Sequence, residues 1–270
     1  MINDYLGSEF PVVKFSDVES RRFSRHVARL TVPEQCKWAD REIVTLATSV
    51  ETDLLILRSP TSRNRLGGLL GSNPHVQTIH ADSLLYFSRR LDSFTAVNTM
   101  PEVISETTDT ISASELENLV SATFVDYQNH YSANPSIPAG AVQDGYAEWA
   151  SNTLTSPNGH VVALKSTRRI VAFIVYTLFH RSDGELNAEI LLNGTHPAFR
   201  NKGLYAAAFS LSLLDARHRG AKRMWISTQS SHRAMIRTWE KAGLQFELGL
   251  NTYHCSPVGI GHQVKRSQDN

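Results

Sequence analysis

The sequence has few cysteines, no excess of charge of either sign and no long apolar run. Its 270 residues include two cysteines, Cys36 and Cys255, too few for a disulfide framework or a thiolate metal site. Lys and Arg number 27 against 26 Asp and Glu, so the net charge of +1 does not indicate a nucleic-acid partner. No stretch approaches the roughly 18 apolar residues of a membrane helix, and the first residues lack the regions of a secretion signal. We therefore expect a cytoplasmic protein with neither a membrane partner nor a metal.

The composition is that of a globular protein, and its charges are unevenly distributed along the chain. Hydrophobic residues make up 41% and charged residues 20%, which is enough apolar material for a sizeable core. Residues 101–195 hold 4 basic and 11 acidic side chains, a balance of −7, and residues 196–270 hold 11 and 4, a balance of +7. The two segments could pair within one fold, or the basic segment could meet an anionic ligand.

The first hundred residues are predicted to form a small α/β domain. The polar, proline-containing segment 99–112 predicts a linker between this domain, 1–98, and a second domain at 113–256, with a polar tail at 257–270. The segment 63–71 has three glycines but no following Gly-Lys-Ser/Thr, which favours a flexible turn over a phosphate loop. Apolar spacing predicts a helix at 33–50 and strands at 27–32, 53–60 and 84–91.

The second domain is predicted to alternate helices and strands. Ser112 and Glu115 have the spacing of a capping box at the start of its first helix, and 129–138 reads as a loop before the second helix. Later helices are predicted at 203–218 and 232–242, and strands at 160–166, 169–179, 185–195, 223–229 and 244–255, the last of them closing the sheet. Because several neighbouring strands are joined by short turns, we predict an α/β or α+β fold with a sheet of mixed direction.

The most informative segment is the turn that follows the strand at 185–195. The strand leads through Pro197 into a turn containing Arg200, Lys202 and Gly203, and a helix begins there. Unpaired backbone N–H groups at a helix start attract anions, and the two cations would suit a pyrophosphate. An ordinary β–α turn with solvated side chains is the alternative.

The order of elements around this turn resembles the GNAT (GCN5-related N-acetyltransferase) fold, and two motifs support the likeness. The segment Arg200, Asn201, Lys202, Gly203, Leu204 and Tyr205 corresponds to the family's pyrophosphate motif, with Tyr205 in place of a small residue. In the later family motif, at 232–244, Glu240, Lys241 and Gly243 match, whereas His232, Trp239 and Leu244 are substitutions. The resemblance implies a mixed sheet flanked by helices, with an N-terminal domain like a truncated acetyltransferase sheet.

The resemblance also implies acetyl-CoA as co-substrate and a small-molecule amine as acceptor. The arrangement is similar to that of the dTDP-fucosamine N-acetyltransferase group, which implies a nucleotide-linked amino sugar or a related small metabolite. An aminoglycoside, a polyamine or a protein amine is the alternative acceptor, and a non-catalytic acyl-CoA-binding module is the alternative function. Oligomeric state is left open, with a homodimer allowed.

Cofactor contacts are expected at the end of the strand, along the turn and in the later motif. By position, Asn193, Gly194 and Thr195 would expose backbone groups to the pantetheine arm, although Gly194 could instead mark a bulge. Contacts with the cofactor are also implied for His232 and Trp239. Contacts with the acceptor are implied for His130, Tyr131 and Gln229.

The catalytic groups are less clearly indicated. Glu189 is the candidate base or water relay, unless it pairs with a neighbour such as Arg169. His254 and His130 are alternatives, because imidazole titrates near neutrality. The resemblance places Trp239 where a tyrosine would protonate the thiolate, yet an indole N–H gives up no proton. Tyr253, His254 or Tyr205 could serve as the acid, or the thiolate could leave unaided.

Overall fold

The structure is a computed structural model in which residues 1–92, 104–107, 110–125, 127–166 and 169–258 are described. The helices are α1 (Asn3–Leu6), α2 (Asp17–Phe23), α3 (Asp40–Ser49), α4 (Asn64–Gly71), α5 (Ala113–Thr123), α6 (Ala139–Leu154), α7 (Leu204–His218) and α8 (Arg233–Lys241). The strands are β1 (Val12–Phe15), β2 (Val27–Thr31), β3 (Leu54–Pro60), β4 (Val76–Arg90), β5 (Ile104–Thr107), β6 (Gly159–Ser166), β7 (Arg169–His180), β8 (Leu186–Thr195), β9 (Arg223–Gln229) and β10 (Gln245–Pro257).

The strands form one mixed sheet that spans both halves of the chain. Their order is β1-β2-β3-β10-β4-β9-β8-β7-β6-β5. The β2–β3 and β8–β9 pairs are parallel and the other pairs are antiparallel. The prediction of a mixed sheet flanked by helices is confirmed. Our expectation that β10 closes the sheet is wrong, because β10 lies between β3 and β4 of the N-terminal half.

Helices cover both faces of the sheet. On one face, α7 and α8 pack over the C-terminal strands around Phe209 and Trp239, and α3 and α4 pack over the N-terminal strands around Leu66 and Tyr253. The other face carries α1, α2, α5 and α6, with apolar clusters that include Tyr86. Within the described residues, none of the helices combines the length and the apolar composition needed to cross a bilayer.

The glycine-rich segment at 63–71 is not the flexible turn that we predicted. It forms α4, which buries Leu66 and Leu70 in the core of the N-terminal half. The side chain of Arg63 holds the start of this helix, because its guanidinium donates to the backbone oxygens of Trp38 and Cys36 and to the carboxylate of Asp40. The low helix propensity of glycine is therefore outweighed by packing.

A second correction concerns the start of α5. The Ser112 side chain makes no capping bond, so the predicted capping box is absent. Glu115 instead accepts a hydrogen bond from the backbone N–H of Ile170 at 3.1 Å and pairs with Lys165 at 3.4 Å. The carboxylate thus ties α5 to the β6–β7 hairpin. Of the predicted linker at 99–112, the segments 99–103 and 108–109 lie outside the described residues, whereas 104–107 pair with β6 as strand β5. The tail beyond 258 also lies outside them.

Candidate active site

Strands β8 and β9 pair over only part of their length and then separate. Their parallel register runs from Asn187 opposite Arg223 to Ile190 opposite Ile226. Beyond that point β8 continues to Thr195 paired only with β7, and β9 continues to Gln229 paired only with β4. The facing edges of the two strands are therefore unpaired in a V-shaped opening, and extended groups that offer donors and acceptors can bind such edges.

The opening leads to the turn that the sequence singled out. Asn201 and Gly203 both have left-handed backbones, with φ of 63° and 75°. Gly203 is the N-cap of α7 and has no side chain to cap the first N–H groups of the helix. Arg200 and Lys202 are exposed beside these groups, and the Arg200 guanidinium reaches the backbone oxygen of Thr123 at 3.3 Å. The turn has the geometry and charge of an anion-binding site.

The two departures from the family motifs, Tyr205 and Trp239, contact each other. The indole Nε1 of Trp239 donates a hydrogen bond to the hydroxyl of Tyr205 at 2.8 Å. The Trp239 side chain is 1% exposed and packs edge-on against Phe87, and Tyr205 stacks on Phe209. Trp239 is therefore a core residue in this structure and presents no surface to a thioester. Because the Tyr205 side chain points into the core, it leaves the anion-binding turn open.

The three residues predicted to contact the pantetheine arm, Asn193, Gly194 and Thr195, lie at the end of β8, and Gly194 is in close contact with α5. A Cβ at Gly194 would lie 2.4 Å from Cγ2 of Thr123, so the glycine is required by α5. The bulge in β8 is at Leu191, where the register with β7 shifts, and not at Gly194. Asn193 is half-buried, and the hydroxyl of Thr195 is buried with no hydrogen-bond partner among the described residues.

A layer of polar side chains covers the mouth of the opening, on the sheet face that carries α5 and α6. This polar layer consists of Arg58, Asp82, Tyr127, His130, Thr228, Gln229, His232, Thr252 and His254. The hydroxyl of Tyr127 donates to the amide oxygen of Gln229 at 2.8 Å, and the ring of His232 lies 5.3 Å from the Tyr127 ring. His232 also contacts the hydroxyl of Thr228 at 3.0 Å. Burial lowers the pKa of His232, and the charge of Asp82 opposes this shift in part. The structure thus brings together Gln229 and His232, which the sequence assigned to acceptor and cofactor.

His130 and His254, predicted as separate alternatives, form a buried pair. Their Nδ1 and Nε2 atoms are 2.9 Å apart, and the Nδ1 of His254 lies 3.2 Å from the amide nitrogen of Asn134. The Asn134 oxygen accepts from the N–H and hydroxyl of Ser136, which turns the amide nitrogen toward His254. His254 therefore accepts at Nδ1 and donates from Nε2 to His130, which leaves Nε2 of His130 as the protonated end of the chain.

Both imidazoles are neutral at physiological pH. Burial, with the charge of Arg58, lowers the pKa of His254 to about 4 and the pKa of His130 well below its usual range. All four ring nitrogens are then occupied by a proton or by a hydrogen bond that they accept. This arrangement suits the pair to positioning the loop more than to removing a proton.

The loop that carries His130 is held from the N-terminal half. Tyr131 packs edge-on against Phe23 and donates its hydroxyl to the carboxylate of Glu19. Glu19 is paired through both oxygens with Arg29, at 2.6 and 2.7 Å. Burial alone would raise the pKa of Glu19, but the hydrogen bonds and charge of Arg29 outweigh it and contribute most to lowering the pKa to about 2. Tyr131, predicted to bind the acceptor, therefore anchors the loop.

Glu189 lies at the narrow end of the opening, opposite Trp225. It does not pair with Arg169, which begins β7 at the opposite end of that strand. Instead, one carboxylate oxygen accepts the backbone N–H of Ile2 at 2.9 Å, and the other lies 3.5 Å from the hydroxyl of Tyr86. Burial raises the pKa of Glu189, which is the direction that a general base needs.

Tyr253, the third predicted catalytic residue, faces away from the opening. Its ring packs in the core under α3 and α4, and its hydroxyl occupies the space above Gly67, where a Cβ would lie 2.6 Å from the oxygen. The neighbour of Tyr253 in β10, His254, is on the opposite face with the polar layer.

Two charged residues of the polar layer, Asp82 and Arg58, were missed by the sequence analysis. Asp82 comes from β4, and both of its carboxylate oxygens are buried without a hydrogen-bond partner among the described residues. Arg58 comes from β3 and donates from Nε to the hydroxyl of Thr252 at 3.2 Å. A signal was available, because Asp82 alternates with the buried residues Leu84 and Tyr86 and so occupies an inward position of a strand. Across the described residues, no group of three or more His, Cys, Asp and Glu side chains could hold a metal ion.

Comparison with known proteins finds a family similarity over part of the chain. The sequence model described as "Acetyltransferase (GNAT) family" matches residues 120–244, the segment that contains the opening, the turn and α8. No curated protein matches the chain.

Solved structures share the fold at low sequence identity. A GCN5-related N-acetyltransferase from Kribbella flavida is 18% identical, with a TM-score of 0.54, and the match covers 87% of this chain and 82% of that one. One from Sphaerobacter thermophilus is 11% identical, with a TM-score of 0.53 and coverage of 92% and 76%. A tandem GNAT protein from the clavulanic acid biosynthesis pathway is 10% identical, with a TM-score of 0.55 and coverage of 86% and 75%.

The contact between Gly194 and Thr123 predicts a rescue experiment. Gly194→Ala should lower the free energy of unfolding by about 1–3 kcal/mol, because its methyl group would overlap Cγ2 of Thr123. Adding Thr123→Ser removes that methyl, keeps the hydroxyl that bonds Leu119, and should restore most of the loss. Urea denaturation of the variants measures this, with Gly140→Ala, where a Cβ meets nothing within 4 Å, as control. Equal stability of Gly194→Ala and wild type would contradict the packing.

The hydrogen bond between Trp239 and Tyr205 predicts coupling in a double-mutant cycle. Trp239→Phe leaves the Tyr205 hydroxyl unpaired and should cost about 1–3 kcal/mol beyond the change in ring size. Tyr205→Phe leaves the indole N–H unpaired, and the double variant should cost less than the sum of the two. Chemical denaturation of all four proteins gives the coupling energy. Strict additivity would show that the two polar groups do not interact.

Proposed function

We propose that the protein transfers the acetyl group of acetyl-CoA to a primary amine of a small metabolite, with a nucleotide-linked amino sugar as the first candidate acceptor. The observation that carries the proposal is the opening between β8 and β9 that ends at the uncapped start of α7. The family match over 120–244 supports the same reaction class.

The residues around the opening fit acetyl-CoA. The unpaired edge of β8 over 191–195 offers backbone groups to an amide-containing arm, and the turn at 200–205 offers N–H groups and two cations to a pyrophosphate. Tyr205 does not obstruct the turn, since its hydroxyl is bonded to Trp239. When bound, acetyl-CoA supplies an activated acetyl thioester.

Glu189 is the residue that we assign to proton removal. An acceptor ammonium must lose one proton before its nitrogen bonds to the acetyl carbon. The nitrogen gives a second proton to water as the carbon–sulfur bond breaks, and the departed thiolate takes up a proton from solvent. Glu189 lies at the narrow end of the opening, and burial shifts its pKa toward neutrality. Its direct partners leave carboxylate lone pairs for a water that would relay the proton.

Departure of the thiolate needs no protein acid in this proposal. Trp239 and Tyr253 are packed in the core, and burial raises the pKa of Tyr205. A thiol has a pKa of about 8.5, so a thiolate is a stable leaving group near neutral pH.

The other candidate acceptors are an aminoglycoside, a polyamine or a protein amine. The alternative function from another class is a protein that binds acyl-CoA without turnover.

Thiol release from acetyl-CoA in a panel of amines tests the reaction, and calorimetric titration with CoA tests the turn. We expect release that depends on an amine. Gly203→Val should weaken CoA binding tenfold or more, because a β-branched residue resists a φ of 75°. Lys202→Ala should weaken binding less, since the backbone carries most of the contact. Equal affinity of wild type and Gly203→Val would contradict the site, and binding without release would favour the non-catalytic module.

Replacement of Glu189 tests its role. Glu189→Gln should lower kcat about 100-fold or more while the KM for the amine changes little, since general base catalysis contributes on that scale. The increase of kcat with pH that reflects this carboxyl should disappear as well. Tyr86→Phe, which removes only the contact at 3.5 Å, is the matched control and should keep most activity. Unchanged kcat and pH profile in Glu189→Gln would assign the base elsewhere.

A further inference from the structure

Asp82 and Arg58 lie in one row across three adjacent strands. Thr252 of β10 is directly opposite Arg58 of β3 on one side and Asp82 of β4 on the other. Residues directly opposite in neighbouring strands point to the same face. Two strand spacings separate the backbones of the charged pair by about 10 Å. The two opposite charges therefore flank Thr252 on the face that carries the polar layer.

The row lies at the mouth of the opening. Leu84 pairs with Gln229 at the end of β9, and the backbone N–H of Ser230 donates to the oxygen of Ser83 at 2.8 Å. Asp82 follows directly beyond the end of β9. Burial raises the pKa of Tyr127 to about 12, and the negative charge of Asp82 contributes to this increase. Asp82 thus faces the side chains that line the mouth.

The carboxylate of Asp82 lacks the partner that its burial calls for. Both oxygens are buried, and neither accepts a hydrogen bond from any residue that the structure describes. A buried carboxylate without a donor is costly, so this group calls for a donor from a ligand, an ion or water. The donor that suits a carboxylate best is a cation such as an ammonium group.

Among the described residues, Asp82 forms no ion pair, and the charge of Arg58 acts on it only from across Thr252. His130 and His254 are neutral, because burial lowers the pKa of both, and the charge of Glu19 is matched by Arg29. Arg58 is held on Thr252 through Nε, with its remaining N–H groups directed to no carboxylate among the described ion pairs. A polycation would be attracted by Asp82 and repelled by Arg58. A molecule that carries one positive and one negative group could place the first on Asp82 and the second on Arg58.

We infer that Asp82 binds the ammonium group of the acceptor and Arg58 binds an anionic group of the same molecule. The acceptor is accordingly an amine that also carries an anion, such as the carboxylate of an amino acid or the diphosphate of a nucleotide-linked amino sugar. This inference rests on the proposed acetyl transfer for the identity of the ligand as acceptor. It assigns substrate recognition to the N-terminal half of the chain.

Matched acceptors with and without the anionic group test the inference. The pairs are glycine with glycinamide and UDP-glucosamine with glucosamine, and spermidine is the polycation. Among these, we expect the anionic member of one pair to have the lowest KM and spermidine to be a poor acceptor. The pair that shows the larger difference distinguishes a carboxylate from a diphosphate.

Variants of the two residues should act on different parts of the acceptor. Asp82→Asn should raise the KM for every amine tenfold or more. Arg58→Gln should raise the KM of the anionic member of the preferred pair tenfold or more and leave its neutral partner within twofold. Glu51→Gln, at an exposed residue, is the control for removal of one negative charge. If Arg58→Gln does not fold, Thr252→Val, which removes the hydroxyl that holds Arg58, should shift the same ratio in the same direction.

Calorimetric titration separates this inference from the acetyl transfer itself. The same amines are titrated onto the protein saturated with CoA, where no turnover occurs. Weaker binding to Asp82→Asn without thiol release by wild type would support recognition and contradict the transfer. Thiol release with unchanged KM and binding in Asp82→Asn would contradict recognition and leave the transfer standing. An equal effect of Arg58→Gln on both members of a pair would also overturn the inference.

Discussion

The architecture depends on the pairing of β10 with two strands of the other half of the chain. β10 pairs along most of its length with β4 and over Leu250–Cys255 with β3. This central position makes one sheet from segments that are far apart in sequence. It also decides which side chains meet, because Thr252 and His254 point to the polar face and Tyr253 to the opposite core. Without this pairing, His254 would not reach His130, and the Arg58–Thr252–Asp82 row would not exist.

The polar layer combines neutral and charged groups in a way that burial dictates. Desolvation and the charge of Arg58 keep His130 and His254 neutral, so they serve as a chain of hydrogen bonds that positions the loop. Glu19 and Arg29 neutralise each other and hold Tyr131. What remains is a pair of opposite charges at the mouth of an opening between strands. A site of this composition favours ligands by charge placement more than by apolar contact.

The sequence was sufficient for the elements with strong local signals and insufficient for contacts between distant segments. The strand–turn–helix at 185–218 is readable, because alternation, Pro197 and Gly203 lie close together in the chain. The helix α4 is not readable from its three glycines, because the packing that favours it, Gly67 against Tyr253 and Leu66 and Leu70 in the core, involves residues that are distant in sequence. Trp239 was assigned beside the thioester from the motif alone, whereas its partner Tyr205 follows from the fold. Alternation along β4 indicates that Asp82 points inward, but its position beside the opening follows from the pairing of β4 with β9, which no local pattern predicts.

In the mechanism that we propose, the opening between β8 and β9 receives the arm of CoA. Hydrogen–deuterium exchange with and without CoA tests it directly, because bound groups protect the backbone amides that they contact. We predict that CoA slows amide exchange in 191–195 and 201–206. Exchange in α3 and α4, which pack over the N-terminal strands and not over β8 or β9, should not change. CoA binding with no protection in those two segments, or with protection confined to other parts of the sheet, would contradict the account.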